Sequence, residues 1–224
     1  MSSVSSPSIS RRISLRFLPT PPAELTSTVV LNAGGRSNLY TDFRPFLASP
    51  SSCEWAFAGT KEYLEDGRCR WTHCVDSRGV NEGTLPDVGR CETLPNGDEL
   101  ETGEMINPAT GRIEAYEEVW RDEQLPSVSH VTVLRLTDGQ RTCGVFIRIG
   151  AWAQGVIQRE GGVYACRWNF TEHWEVDASF GDVSSMMPTP KGTTLEGTST
   201  HIPEMEDSTL KWEIVEDYLW GTQL

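Results

Sequence analysis

Two short segments recur in this chain at one fixed offset, which limits the architectures open to it. Trp55-Ala56 returns as Trp152-Ala153, and Cys69-Arg70-Trp71 returns as Cys166-Arg167-Trp168, each pair 97 positions apart (152 − 55 and 168 − 71). Tryptophan is scarce in proteins, so two matches at one spacing point to a duplicated unit. Solenoid repeats run about 20–50 residues; the longer period here suits a small domain present twice in tandem. Asp66-Gly67 and Gly161-Gly162 precede the two Cys-Arg-Trp blocks, so each copy reads as a hairpin with a tryptophan on either arm.

The rest of the chain is punctuated the same way. Ser14-Leu15-Arg16-Phe17-Leu18 and the run Val128 to Leu136 alternate apolar and polar residues, while Gly144 to Ile149 and Gly162 to Phe170 are rich in β-branched and aromatic residues. Glycine turns separate them at Ala33-Gly34-Gly35, Pro95-Asn96-Gly97-Asp98 and Thr137-Asp138-Gly139. No segment carries a long amphipathic helical pattern; the closest, Glu204 to Tyr218, alternates well enough at WEIVEDYLW to be a closing strand. The expectation is an all-β chain of two tandem calycin- or lipocalin-like antiparallel barrels. Residues 1–12 form a disordered tail, 13–124 the first barrel and 125–224 the second, with the boundary at the DEQLPS stretch from Asp122 to Ser127. Met186 to His201, rich in Pro, Thr and Gly, reads as a loop.

Charge narrows the function classes. A net charge of −13 argues against nucleic acid and against anionic membrane surfaces, both of which are bound through clustered Lys and Arg. No stretch is apolar enough for a membrane span, and the Ser- and Arg-rich start lacks the apolar core of a secretory signal. That start resembles a mitochondrial presequence only weakly, and Arg11-Arg12-Ile13-Ser14 matches a basophilic kinase site. The six cysteines form no CxxC pair, so they are expected as reduced thiols and not as a zinc site.

Five segments, in order, resemble the fungal Hri family, the yeast proteins named for interacting with a casein-kinase-one enzyme. Cys53 to Thr60 (CEWAFAGT) carries the strongest match. It is joined by Phe43-Arg44-Pro45-Phe46, by Glu101-Thr102-Gly103 with Tyr116 to Trp120 (YEEVW), by Ile149 to Gly155 (IGAWAQG), and by Trp212 to Glu216 (WEIVE). The resemblance implies two calycin-like barrels in tandem, a cytoplasmic or nuclear location, and partners among kinases or the translocation machinery. It supplies no catalytic residues.

Candidate site residues come from the strand pattern. Trp55, Trp71, Trp152 and Trp168 are either core fillers at a barrel's closed end or aromatic walls of a pocket; Trp55, Trp71 and Trp120, with Arg44, are the ligand-binding candidates. Glu54 precedes Trp55 where Ala151 precedes Trp152, so a carboxylate present in one copy alone is a candidate acid, or else a rim carboxylate paired to Arg44 or Arg70. Alternation along Trp71-Thr72-His73-Cys74-Val75 puts Trp71, His73 and Val75 on one face, and along Tyr116 to Trp120 it aligns Tyr116, Glu118 and Trp120. Glu54, His73, Glu118 and Tyr116 are therefore the catalytic candidates, with Glu118 also read as the buried partner of His73 or an arginine. His173 is expected exposed or at an interface.

No phosphate loop, Rossmann glycines, catalytic triad order or metal cluster is legible, so neither cofactor nor metal is expected. Two function classes remain. One is a binding protein for a small apolar molecule or a protein partner, a kinase included. The other is a cofactor-independent cyclase, isomerase or dehydratase of a fungal specialised-metabolite pathway.

Overall fold

Period-2 alternation dominates the fold as it does the sequence. The computed structural model describes residues 5–79, 86–190 and 210–221, and among these the chain forms fourteen strands and no helix. The first eight are β1 (Ser8–Phe17), β2 (Val29–Asn32), β3 (Leu39–Phe46), β4 (Ser49–Tyr63), β5 (Arg68–Asp76), β6 (Asp87–Thr93), β7 (Glu99–Asn107) and β8 (Arg112–Asp122). Each pairs antiparallel with the next, and β8 returns to β1, closing a barrel. The other six are β9 (Ser129–Asp138), β10 (Arg141–Ile149), β11 (Trp152–Arg159), β12 (Gly162–Phe170), β13 (Trp174–Phe180) and β14 (Trp212–Trp220), in one antiparallel sheet ordered β13-β12-β11-β10-β9-β14. The chain is all-β, and a closed barrel followed by a second sheet is consistent with two barrels in tandem. The WEIVEDYLW segment is a strand that closes back onto β9, as its alternation predicts.

The barrel begins earlier than the sequence suggests. β1 starts at Ser8, so residues 8–12 belong to the barrel and not to a tail. Arg12 is 5% exposed, because its guanidinium satisfies carboxylates inside the fold and therefore enters it. Of the stretch expected as a loop, Met186 to Pro190 is irregular backbone, while 191–201, including His201, lies outside the described residues.

The hydrophobic core lies between the two units. One cluster joins Val29, Leu31, Phe43, Ala56, Ala58 and Val75 of the barrel to Val131, Val133, Val145, Ile147, Ile149 and Val156 of the sheet. The barrel thus turns apolar side chains outward against β9–β12. Leu134 and Leu136, one position out of phase with Val133, occupy the sheet's other face with Phe146, Ile157 and Trp168. Polar side chains lock the units together: Gln154 Nε2 donates to the carbonyls of Val29 and Thr41 (both 3.0 Å), and Arg167 donates to the carbonyl and hydroxyl of Ser27 (2.7 and 2.9 Å).

The 97-residue recurrence is not a structural equivalence. Both blocks lie on hairpins, β4–β5 and β11–β12, as the turn glycines predict. Trp71, however, stands opposite Lys61, whereas Trp168 stands opposite Ala153 and not opposite Gln158, the counterpart of Lys61. A tighter turn shifts the second hairpin's register. Consequently Trp55 and Trp71 line the barrel cavity, Trp152 packs on the core between the units, and Trp168 sits on the sheet's opposite face.

Candidate ligand-binding site

Because the barrel's apolar side chains point outward, its inside is left to polar and aromatic ones. They enclose a cavity of about 520 Å³, within the range of small-molecule sites. Trp55, Phe57, Trp71, Trp120, Tyr40 and Tyr116 supply rings to its wall, and Asp42, Arg44, Lys61, His73, Asp76, Arg78, Asp87, Glu99, Glu101, Glu104 and Glu118 supply ionisable groups.

Seven of the eight candidates picked out from the sequence line this cavity: Arg44, Trp55, Trp71, His73, Tyr116, Glu118 and Trp120. Glu54 is not among the lining residues. The pairing passes from Arg44↔Trp55 to Pro45↔Cys53, which makes Glu54 the extra residue of a β-bulge. Its carboxylate accepts from Arg12 at 3.2 Å and lies 3.8 Å from Arg78. It is an arginine-paired carboxylate, although its partners are Arg12 and Arg78 and not Arg44 or Arg70.

A second bulge governs His73. Gly59 pairs with His73 while Ala58 pairs with Val75, leaving Cys74 as the extra residue. The alternation predicted for Trp71, His73 and Val75 therefore breaks: Trp71 and His73 face the cavity, and Val75 turns outward into the core between the units. The bulge also turns Asp76 inward. His73 stacks on Phe57 (centroids 4.5 Å apart) and is clamped by Asp76 at Nδ1 (2.7 Å) and Asp87 at Nε2 (3.0 Å). Burial disfavours the imidazolium, but the hydrogen bonds to Asp76 and Asp87 outweigh it and lift the pKa to about 9. The clamp therefore favours the imidazolium near neutral pH.

Glu118 is 2% exposed and binds two arginines, Arg12 Nη1 at 2.7 Å and Arg44 Nη1 at 3.2 Å. Arg44 also grips Asp42 (2.8 Å from Nη2). Burial opposes the Arg44 charge, yet Asp42 and Glu118 together hold its pKa well above the ordinary value. The sequence alternative that Glu118 fixes an arginine matches these contacts; His73, Glu118 and Tyr116, the acid–base alternative, line the same cavity without hydrogen-bonding to one another. Those three side chains each have a different partner.

Tyr116 donates to Glu101 Oε1 at 2.6 Å. Glu101, unassigned in the sequence reading, stands directly opposite Glu118 in the β7–β8 register. Burial, and then the neighbouring Glu118 charge, push its carboxyl well above the usual range against the Tyr116 hydrogen bond. Two opposed buried carboxyls do not both ionise readily, and the arginines lie on Glu118, so the pairing favours the protonated form of Glu101. Burial likewise raises the Tyr116 phenol. The signal for Glu101 was present: it alternates with Glu99 and Gly103 on the face that β7 shares with Tyr116, Glu118 and Trp120 of β8. Arg12, Asp76 and Asp87 were missed because bulges and barrel closure bring them in.

Two polar groups in the wall have no protein partner among the described residues: the Tyr40 hydroxyl and Trp120 Nε1. Tyr40 is 1% exposed and Trp120 6%. Outside the cavity, His173 is exposed and pairs with Glu175 (2.9 Å), and His130 contacts Asp217 (2.7 Å). Among the described residues no group of His, Cys, Asp and Glu is placed to hold a metal ion. No helix among them is long and apolar enough to cross a membrane.

Comparison with known proteins agrees with this architecture. A solved structure of an uncharacterized protein of Saccharomyces cerevisiae, YLR301w, superposes with a TM-score of 0.71 over 96% of this chain and 100% of its own, at 22% identity. That likeness is one of fold. No curated protein matches the chain. The model of the family described as Protein HRI1 matches residues 8–216, from the first strand of the barrel into the last strand of the sheet, and the chain belongs to that family.

Proposed function

We propose that the protein binds a small organic molecule inside the closed barrel. The observation that carries this reading is the pair of buried, unpartnered polar groups, the Tyr40 hydroxyl and Trp120 Nε1, in the wall of a cavity of about 520 Å³. Buried polar atoms are almost always hydrogen-bonded, and both belong to side chains that line the cavity, so a guest that shifts these rings slightly supplies the missing partners. The aromatic wall suits a flat apolar body, and the charged groups beside it require that the guest carry polar atoms too. The six cysteines are free, which fits the cytoplasmic or nuclear location that the family resemblance implies.

Native mass spectrometry of the protein isolated from its own source tests the proposal. A small molecule that leaves on denaturation is expected. Protein at bare chain mass that also fails to take up an uncharged polarity-sensitive fluorophore such as prodan would remove the reading. Glu54→Gln is expected to leave uptake unchanged, because that side chain is outside the cavity wall; a loss of uptake would return Glu54 to the site.

A second reading, a cofactor-independent cyclase, isomerase or dehydratase, is favoured by one observation. Glu101 lines the cavity, accepts from Tyr116, and has its carboxyl pushed well above the usual range by burial, which suits it to donate a proton. In that case Glu101→Gln abolishes turnover, while Glu54→Gln leaves it intact.

A further inference from the structure

The barrel's inner wall holds more acid than its own bases neutralise. Seven carboxyl side chains line the cavity, against three from lysine and arginine and one from histidine. Arg44 takes Asp42 and Glu118, and His73 bridges Asp76 and Asp87. Lys61 lies over the rings of Tyr63 (5.1 Å) and Trp71 (5.4 Å).

Glu101 is placed differently. It is 7% exposed, and its hydrogen-bond partner is the Tyr116 hydroxyl; among the described residues no lysine, arginine or histidine nitrogen forms an ion pair with it. The strands beside it are kept bare. A Cβ at Gly89 would come within 2.9 Å of Glu101 Cγ, and one at Gly103 within 2.9 Å of the Tyr116 ring. The glycines thus leave just enough room for the Glu101–Tyr116 pair, and the cavity wall presents one buried carboxyl that lacks a cation. Independently, Trp120 Nε1 offers a buried N–H without an acceptor, and the Tyr40 hydroxyl is likewise unpartnered.

We infer that the ligand is an organic amine, a protonated nitrogen on a flat ring system that also carries a hydroxyl or carbonyl oxygen. This rests on the reading that the barrel holds a small molecule. The ammonium meets the Glu101 carboxylate, the ring lies among Trp55, Phe57, Trp71 and Trp120, and the oxygen accepts the Trp120 N–H. A buried carboxyl without a counter-ion stays protonated; an ammonium restores the ionised form through a charge-assisted hydrogen bond. The surrounding ring faces attract the same cation. An anionic guest would meet the surplus carboxylates instead, and the net charge of −13 also favours the approach of cations.

The test is calorimetric titration of the full chain at neutral pH with three indoles that differ in one group: tryptamine, tryptophol and indole-3-acetate. Tryptamine is expected to bind at least tenfold more tightly than either of the others, and Glu101→Gln to cut that preference at least tenfold. Equal or tighter binding of tryptophol or indole-3-acetate overturns the inference, as does a Gln variant that keeps the preference. The wild-type series decides the matter even where the variant fails to fold. If the uncharged fluorophore prodan enters the barrel but no indole binds, the amine inference falls and small-molecule binding stands. If neither prodan nor any indole is taken up, both fall.

Discussion

His73 shows how far a side chain's neighbours can move its chemistry from what its position suggests. A histidine facing an aromatic cavity reads as a base, yet Asp76 and Asp87 favour its imidazolium and lift the pKa to about 9. A histidine whose folded pKa is lifted stabilises the fold fully below its unfolded value near 6.5, and loses that contribution as pH rises through about 9. Each pKa unit corresponds to about 1.4 kcal/mol, so the effect is on the order of 3 kcal/mol. Comparing thermal unfolding of the wild type and His73→Gln across this range should show the largest gap near pH 6 and almost none near pH 10. A gap that stays constant with pH would mean that the clamp does not act through charge. Glu118 makes the complementary case. Glu118→Ala strands Arg12 and Arg44 without their shared carboxylate, and breaking such a buried pair costs about 3–5 kcal/mol. Urea unfolding measures it. Alternation alone sets Glu118 on one face with Tyr116 and Trp120, but its partner Arg12 is 106 positions away and meets it only when β1 and β8 pair.

Among the elements, β4 and β5 decide the site. A flat strand pair would set Trp71, His73 and Val75 on one face. The bulge at Cys74 rotates the chain, so His73 stays inside, Val75 joins the outer core and Asp76 reaches the imidazole. Gly59 makes this possible, since a Cβ there would fall 1.6 Å from the Thr72 carbonyl oxygen. Gly59→Ala is therefore expected to cost about 3 kcal/mol or more, either distorting the β4–β5 ladder or preventing folding. Denaturant titration, with Trp fluorescence as the reporter, checks this; a loss well under 1 kcal/mol would show that the bulge relaxes freely. The hairpins themselves were legible from their glycine turns and paired tryptophans. Their registers were not, because shifting a register by one residue exchanges the two faces of a strand, and nothing in the Trp-Ala and Cys-Arg-Trp blocks specifies turn length.

At the scale of the whole molecule, the barrel is apolar outside and polar within, and the sheet β9–β14 covers its apolar flank. Val29, Leu31 and Phe43 share one core with Val131, Ile147 and Val156, and Gln154 and Arg167 hydrogen-bond across it. Barrel and sheet should accordingly unfold together. Calorimetry is expected to give one transition, and two separate transitions would contradict a shared core. Val75→Asp, which buries a charge in that core, should lower the midpoint of the single transition. The sequence by itself determined the all-β class, the hairpins with their tryptophans, and the alternation that sets Tyr116, Glu118 and Trp120 on one face. Only the tertiary structure decided which face of each strand is the inside. It also decided which acid meets which base, because a period of two sorts side chains into two sets without naming either as core. That choice follows from closing β8 onto β1 and laying a second sheet against the outside.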